Sequence, residues 1–235
     1  MKPWHWIVGA VGVLVIVFVG GPFVYIHFIE GKAPAPLSLS SPPTTTAAGS
    51  VPTSAPAAGA PTPVDGSWKV ASGSQAGYRI QETLFGQSNT AVGRTSSITG
   101  SLTISGTSVT AATFSVDMTT VSSDRSQRDN QFQGRIMDTS SYPTATFTLT
   151  QPISLGSIPA DGVMITEQAT GQLMLHGVTK SVTFTVQARK SGATIQVSGS
   201  IPIVFADYNI NNPSGGPATT EDHGTLEFLL NFSHS

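Results

Sequence analysis

The chain has 235 residues with 11 Lys+Arg and 13 Asp+Glu, so charged residues make up 10 % where a soluble domain carries roughly 25 %. A formal net charge of −2 with scattered basic residues leaves no field for a polyphosphate backbone, which excludes nucleic acid as a partner class. The absence of cysteine excludes disulfides, thiol nucleophiles and thiolate metal sites.

From Trp4 to Ile29 there is no Asp, Glu, Lys or Arg, and Ile7 to Phe18 is apolar throughout. A helix of that length exceeds the roughly 20 residues needed to cross a bilayer, and Trp4, Trp6 and Tyr25 stand near its ends, where amphipathic rings prefer the interface. Residues 1–32 therefore read as an uncleaved signal anchor, since cleaved signals have shorter apolar cores and Pro36 follows the only small-x-small site, Ala33-Pro34-Ala35. Only a few residues precede the span, which puts the N-terminus in the cytoplasm and the rest of the chain outside it. Residues 33–64 carry no charge and hold eight of the sixteen prolines, a composition that reads as a disordered tether. Fully extended as polyproline II it would reach roughly 100 Å.

Residues 65–235 have a different pattern. Apolar and hydroxylated residues alternate in Ile98–Ile104, Ala112–Met118, Ala145–Leu149, Val182–Ala188, Ile195–Phe205 and Leu226–Phe232. Such a period of two describes antiparallel strands buried on one face and wet on the other. Ile104–Val109 and Arg189–Ala193 read as hairpin connections, and a short helix capped by Asp124 fits between Ser123 and Asp138, with Tyr142-Pro143 ending the excursion. About eight strands, several longer than the usual five or six residues, favour a closed barrel over an immunoglobulin-type sandwich. Periodicity does not say whether the interior is filled or hollow.

The order Thr120-Val121-Ser122-Ser123-Asp124-Arg125, Arg128-Asp129, Phe132, Tyr142-Pro143 and Phe147 resembles the central signature of the YceI-like family. Leu173, Leu175 and Gly177-Val178-Thr179-Lys180 with Val182 resemble its later hairpin, and Trp68-Lys69-Val70 its opening strand. Two segments depart from the family pattern, Tyr78-Arg79-Ile80-Gln81-Glu82 and Phe205-Ala206-Asp207-Tyr208-Asn209-Ile210. The resemblance implies an all-β, extended lipocalin-like antiparallel barrel with one short helix, holding a polyisoprenoid or similar long-chain lipid in an envelope-exposed protein. On that reading Phe114, Phe132, Phe147, Phe184 and Phe205 line the lumen, and Arg128, Asp129, Tyr208 and Asn209 are candidate polar contacts at the mouth. Each has a plainer reading: the phenylalanines as packed core, Arg128-Asp129 as a loop clamp, and Tyr208-Asn209 as a strand end.

No Gly-x-Ser-x-Gly or phosphate loop occurs, and neither His176 nor His223 has a catalytic partner motif. Glu221-Asp222-His223 is a poor metal set, because consecutive strand residues point to opposite faces. The expectation is a binding protein, not an enzyme, with no metal and no cofactor beyond a bound lipid. The alternative is a packed β-domain serving as a structural or protein-interaction module of the envelope.

Overall fold

The computed structural model describes residues 33–39, 64–215 and 218–235. The apolar run at 4–29 and the greater part of the tether, 40–63, lie outside the described residues. Among the described residues no helix is long and apolar enough to cross a membrane.

Among the described residues twelve strands run in chain order: β1 (Gly66–Val70), β2 (Gln75–Leu84), β3 (Gln87–Thr95), β4 (Ile98–Ser105), β5 (Ser108–Asp117), β6 (Thr144–Leu149), β7 (Ile153–Ser154), β8 (Met164–Leu175), β9 (Val178–Ser191), β10 (Thr194–Val204), β11 (Ala218–Thr220) and β12 (His223–His234). Every pairing is antiparallel. Trp68 faces Leu102 across β1 and β4, and Tyr78 faces Gly93 across β2 and β3. Thus β1–β2 and β3–β4 act as two long interrupted strands joined by the Phe85-Gly86 turn, where both residues have positive φ, 50° and 78°. With β5, β6, β8, β9, β10 and β12 they make eight staves, each beside its neighbour in sequence. The barrel closes because β12 pairs with β10 on one edge and with β1 and β2 on the other.

The short helix α1 (Ser126–Gln131) continues as a wider turn, Phe132–Ile136, in the connection between β5 and β6. Asp124 is not its cap. The residue before the helix is Arg125, which makes no side-chain cap, and Asp124 instead pairs with Arg128 one turn on. The carboxylate that organises this loop is Asp129, whose Oδ1 accepts from Ser123 N and Ser123 Oγ, both at 2.7 Å.

Most of the buried apolar residues form two clusters. At the end away from α1, Trp68 and Phe232 are fully buried (0 % exposed) among Ile98, Leu102, Ile104 and Ala112. The Trp68 Nε1 donates to Val64 O at 2.9 Å, so the ring is held at both its apolar and its polar side. Trp68→Ala is expected to lower unfolding free energy by about 3–5 kcal/mol, read by denaturant titration. The second cluster, containing Tyr78, Phe132, Leu173, Phe184 and Phe205, surrounds the interior toward α1.

One stretch differs from the sequence reading. Ala33–Leu39, placed there in a disordered tether, lies ordered against the barrel, with Leu39 buried.

Candidate functional site: an apolar lumen with a charged mouth

Alternation along each stave points one side chain in two inward. The inward sides of the staves leave a cavity of about 540 Å³ inside the barrel, so this part of the interior is hollow rather than packed shut. Its size lies within the roughly 300–1,000 Å³ of small-molecule sites.

All five phenylalanines singled out in the sequence line this cavity. They touch one another in a chain: Phe114 stacks on Phe147 at 6.5 Å between ring centres, Phe147 meets Phe184 edge-on at 5.3 Å, and Phe184 meets Phe228 edge-on at 6.0 Å. Toward α1, Phe132 stacks on Tyr78 at 5.0 Å. Phe205 lines the same end as the first residue of a 3₁₀ turn, Phe205–Tyr208.

The lumen stays open partly because rings lie over glycines on adjacent staves. A Cβ on Gly93 would stand 2.3 Å from the Tyr78 ring, and one on Gly199 would stand 2.7 Å from the Phe228 ring. Each ring occupies the space that a side chain on the next strand would take, and so leans along the wall instead of into the lumen. Gly93→Ala is expected to drive the Tyr78 ring inward, costing about 1–3 kcal/mol and shrinking the cavity. Denaturant unfolding together with uptake of an apolar fluorescent probe measures both effects.

At the α1 end the lumen wall carries Glu82, Arg125 and Arg128, while Glu167 lines it on β8. Arg128 lies on the cavity wall, 3.4 Å from the Glu82 carboxylate, and also pairs with Asp124. Burial works against the Arg128 charge, but Glu82 and Asp124 outweigh it and hold the guanidinium more firmly protonated than usual. Burial likewise pushes the Tyr78 phenol far above its ordinary range; Arg128 opposes the shift, and the nearby carboxylates add to it. Tyr78 is therefore a neutral hydroxyl at the inner edge of the charged group.

The other three mouth candidates do not line the cavity. Asp129 is spent on Ser123, as its hydrogen bonds require. Tyr208 is buried beside the β8–β9 turn, where its carbonyl sits 3.0 Å from His176 Nδ1. Asn209 is exposed, in a left-handed conformation (φ 54°) that ends the 3₁₀ turn. Both fall where strand alternation has stopped after Val204, so the inward-outward rule no longer applies to them. Glu82 is the functional candidate that the sequence reading passed over. Ala76, Tyr78, Ile80, Glu82 and Leu84 alternate along β2 and all line the cavity, a signal present in the sequence.

His223 lies on the surface against Asp222 and Glu221, and its pKa is raised chiefly by the hydrogen bond to Asp222. Among the described residues no group of three or more His, Asp or Glu side chains is arranged to hold a metal ion.

A YceI-like domain model matches residues 68–232. The chain belongs to the YceI-like family. Two solved structures share its fold. A polyisoprenoid binding domain from Saccharophagus degradans, implicated in plant cell wall breakdown, is 17 % identical with a TM-score of 0.56, over 72 % of this chain and 98 % of that one. BcnA from Burkholderia cenocepacia is 20 % identical with a TM-score of 0.53, over 67 % of this chain and 95 % of that one. No curated protein matches the chain. What the chain shares with both structures is the antiparallel β-barrel fold.

Proposed function

We propose that this YceI-like protein holds a long-chain isoprenoid or similar lipid in its lumen, outside the cytoplasm, while the apolar segment at 4–29 anchors it in the membrane. The observation that carries the reading is the open apolar cavity, lined by the five phenylalanines and bounded at one end by the Arg128–Glu82 pair. A chain of isoprene units would run past Phe184 and Phe147, with its polar end toward Arg128 and the Tyr78 hydroxyl.

Moving such a chain from a bilayer into the barrel exchanges one apolar medium for another, so hydrophobicity contributes little net and selectivity rests on lumen shape and mouth polarity. Against water each buried CH2 is worth about 0.8 kcal/mol, which makes release into solvent slow. Hand-over therefore requires contact with a membrane or a partner. Phe85 suits that contact: it lines the cavity at the β2–β3 tip and is 52 % exposed.

The test is solvent extraction of the full chain, purified in mild detergent from a host that makes isoprenoid lipids, followed by mass spectrometry. The expected result is close to one long-chain lipid per protein. A clean extract that remains clean after incubation with a polyprenyl lipid would overturn the reading and favour the interaction-module alternative. Protease added to intact spheroplasts is expected to digest the barrel, and protection there would overturn the placement outside the cytoplasm.

A further inference from the structure

Glu227 lies on β12 between Leu226 and Phe228, and all three border the lumen, but the Glu227 carboxylate is taken up by Arg79 and Arg94, which do not line it, so alternation and its partners put this side chain toward the outer face of the barrel. An outward carboxylate is ordinarily wet, yet Glu227 is only 3 % exposed. Arg79 on β2 holds it at 3.2 Å and Arg94 on β3 at 2.8 Å. This group carries one positive charge in excess, and three hydrogen bonds join it to Ala33–Leu39. Arg79 Nη2 donates to Pro34 O at 2.7 Å, Arg94 Nη2 donates to Ala35 O, and Leu37 N donates to Glu227 Oε2 at 3.4 Å.

The segment is built for such a site. Pro34 and Pro36 fix φ and bias Ala33 and Ala35 toward extended backbone, so two successive carbonyls are offered to the two guanidiniums with little ordering entropy left to lose. Beyond Pro36 the alternation Leu37, Ser38, Leu39 runs half-buried, exposed, buried, as a strand-like segment lying on a surface would. Ala33 and Pro34 also border a small cavity with Asp124 and Arg128, so the strap passes beside the mouth of the lumen.

We propose that Arg79, Glu227 and Arg94 form a binding site for an extended, proline-bearing backbone, and that its occupant is this chain's own Ala33–Leu39. Only residues 30–32 separate Ala33 from the apolar run ending at Ile29, a reach of roughly 14 Å at about 3.5 Å per residue. The docked strap thus keeps the mouth side of the barrel close to the membrane surface, where ligand exchange needs it. The membrane part of this inference rests on the anchor reading above; the docking itself does not.

The chain has no cysteine, so Ser38→Cys with Ser105→Cys, both at exposed positions, takes two spin labels cleanly. In the full chain in detergent, one narrow label-to-label distance is expected. Leu39→Asp, which changes the strap and not the barrel, is expected to broaden it toward the spread of a free segment, about 28 Å r.m.s. for the stretch back to Val64. Arg94→Gln is expected to broaden it in the same way, with circular dichroism confirming the barrel. A broad distribution in the parent chain, or no change in Leu39→Asp, would overturn the docking. A distance appearing only between mixed singly labelled chains would make the occupant a second copy and overturn docking in cis. In vesicles of phosphatidylethanolamine and phosphatidylglycerol, a lipid-borne relaxation agent is expected to reach the Ser38 label in the parent. Failure of the chain to bind vesicles would refute the anchor, while the distances in detergent still decide the strap.

Discussion

Ala169→Trp is expected to empty the barrel of lipid without unfolding it. Ala169 is buried at the cavity wall, paired across β8 and β9 with Phe184, in the middle of the aromatic chain. An indole there would project into the 540 Å³ lumen and occupy the path past Phe147 and Phe184. In a hollow barrel the new ring fills space and gains contacts, so unfolding free energy stays within about 1 kcal/mol of the parent, whereas overpacking a filled core costs about 1–3 kcal/mol. Lipid recovered by extraction should fall at least about 100-fold, which corresponds to roughly 2.7 kcal/mol. Full retention of lipid would place the ligand elsewhere, and unfolding would show that the interior has no room for it.

Opposite effects are expected at Arg128 and Glu82, which pair at the mouth. Arg128→Gln removes the cation paired with Glu82 on the lumen wall and leaves that carboxylate partly buried without it, so stability should drop by about 2–5 kcal/mol. Retention of a lipid with an anionic head should weaken about tenfold or more. Glu82→Gln takes one carboxylate away from Arg128 and makes the mouth more positive. Retention of an anionic lipid should then strengthen by about tenfold, equivalent to roughly 1.4 kcal/mol, with little effect on a neutral alcohol. Competition between a polyprenyl phosphate and a polyprenol reads the two variants directly, and equal responses to both lipids would remove Arg128 and Glu82 from head-group recognition.

The lumen was readable because alternation assigns a face to each strand residue without knowledge of its partners. Ala112, Phe114 and Val116 line the cavity, and so do Phe147 and Phe184, found by the same rule. Glu82 obeyed that rule too, but a carboxylate among inward positions reads as a departure until Arg128 is brought to it from 46 positions away. Tyr208 and Asn209 were misplaced for the converse reason: the strand had ended, and a 3₁₀ turn buries one and exposes the other. Asp124 and Asp129 stand five residues apart around one helix start, and local sequence does not say which takes the backbone N–H groups and which takes the arginine.

The strap could not be read locally at all. Pro, Ala, Ser and Leu without charge have the composition of a tether, and what orders Ala33–Leu39 is supplied by Arg79, Arg94 and Glu227, whose bonds to it span 45, 59 and 190 positions. The glycines under the aromatic rings are of the same kind, since Gly199 acquires its meaning only when Phe228 is placed opposite by β10 and β12.

The most direct test of a lipid-filled barrel is solution NMR of the full chain in deuterated detergent, loaded with a protonated polyprenol. Intermolecular NOEs from isoprenoid methyl groups to the Ala169 methyl and to the rings of Phe147 and Phe184 are the expected result. NOEs confined to the outer face, or none with lipid in excess, would contradict it.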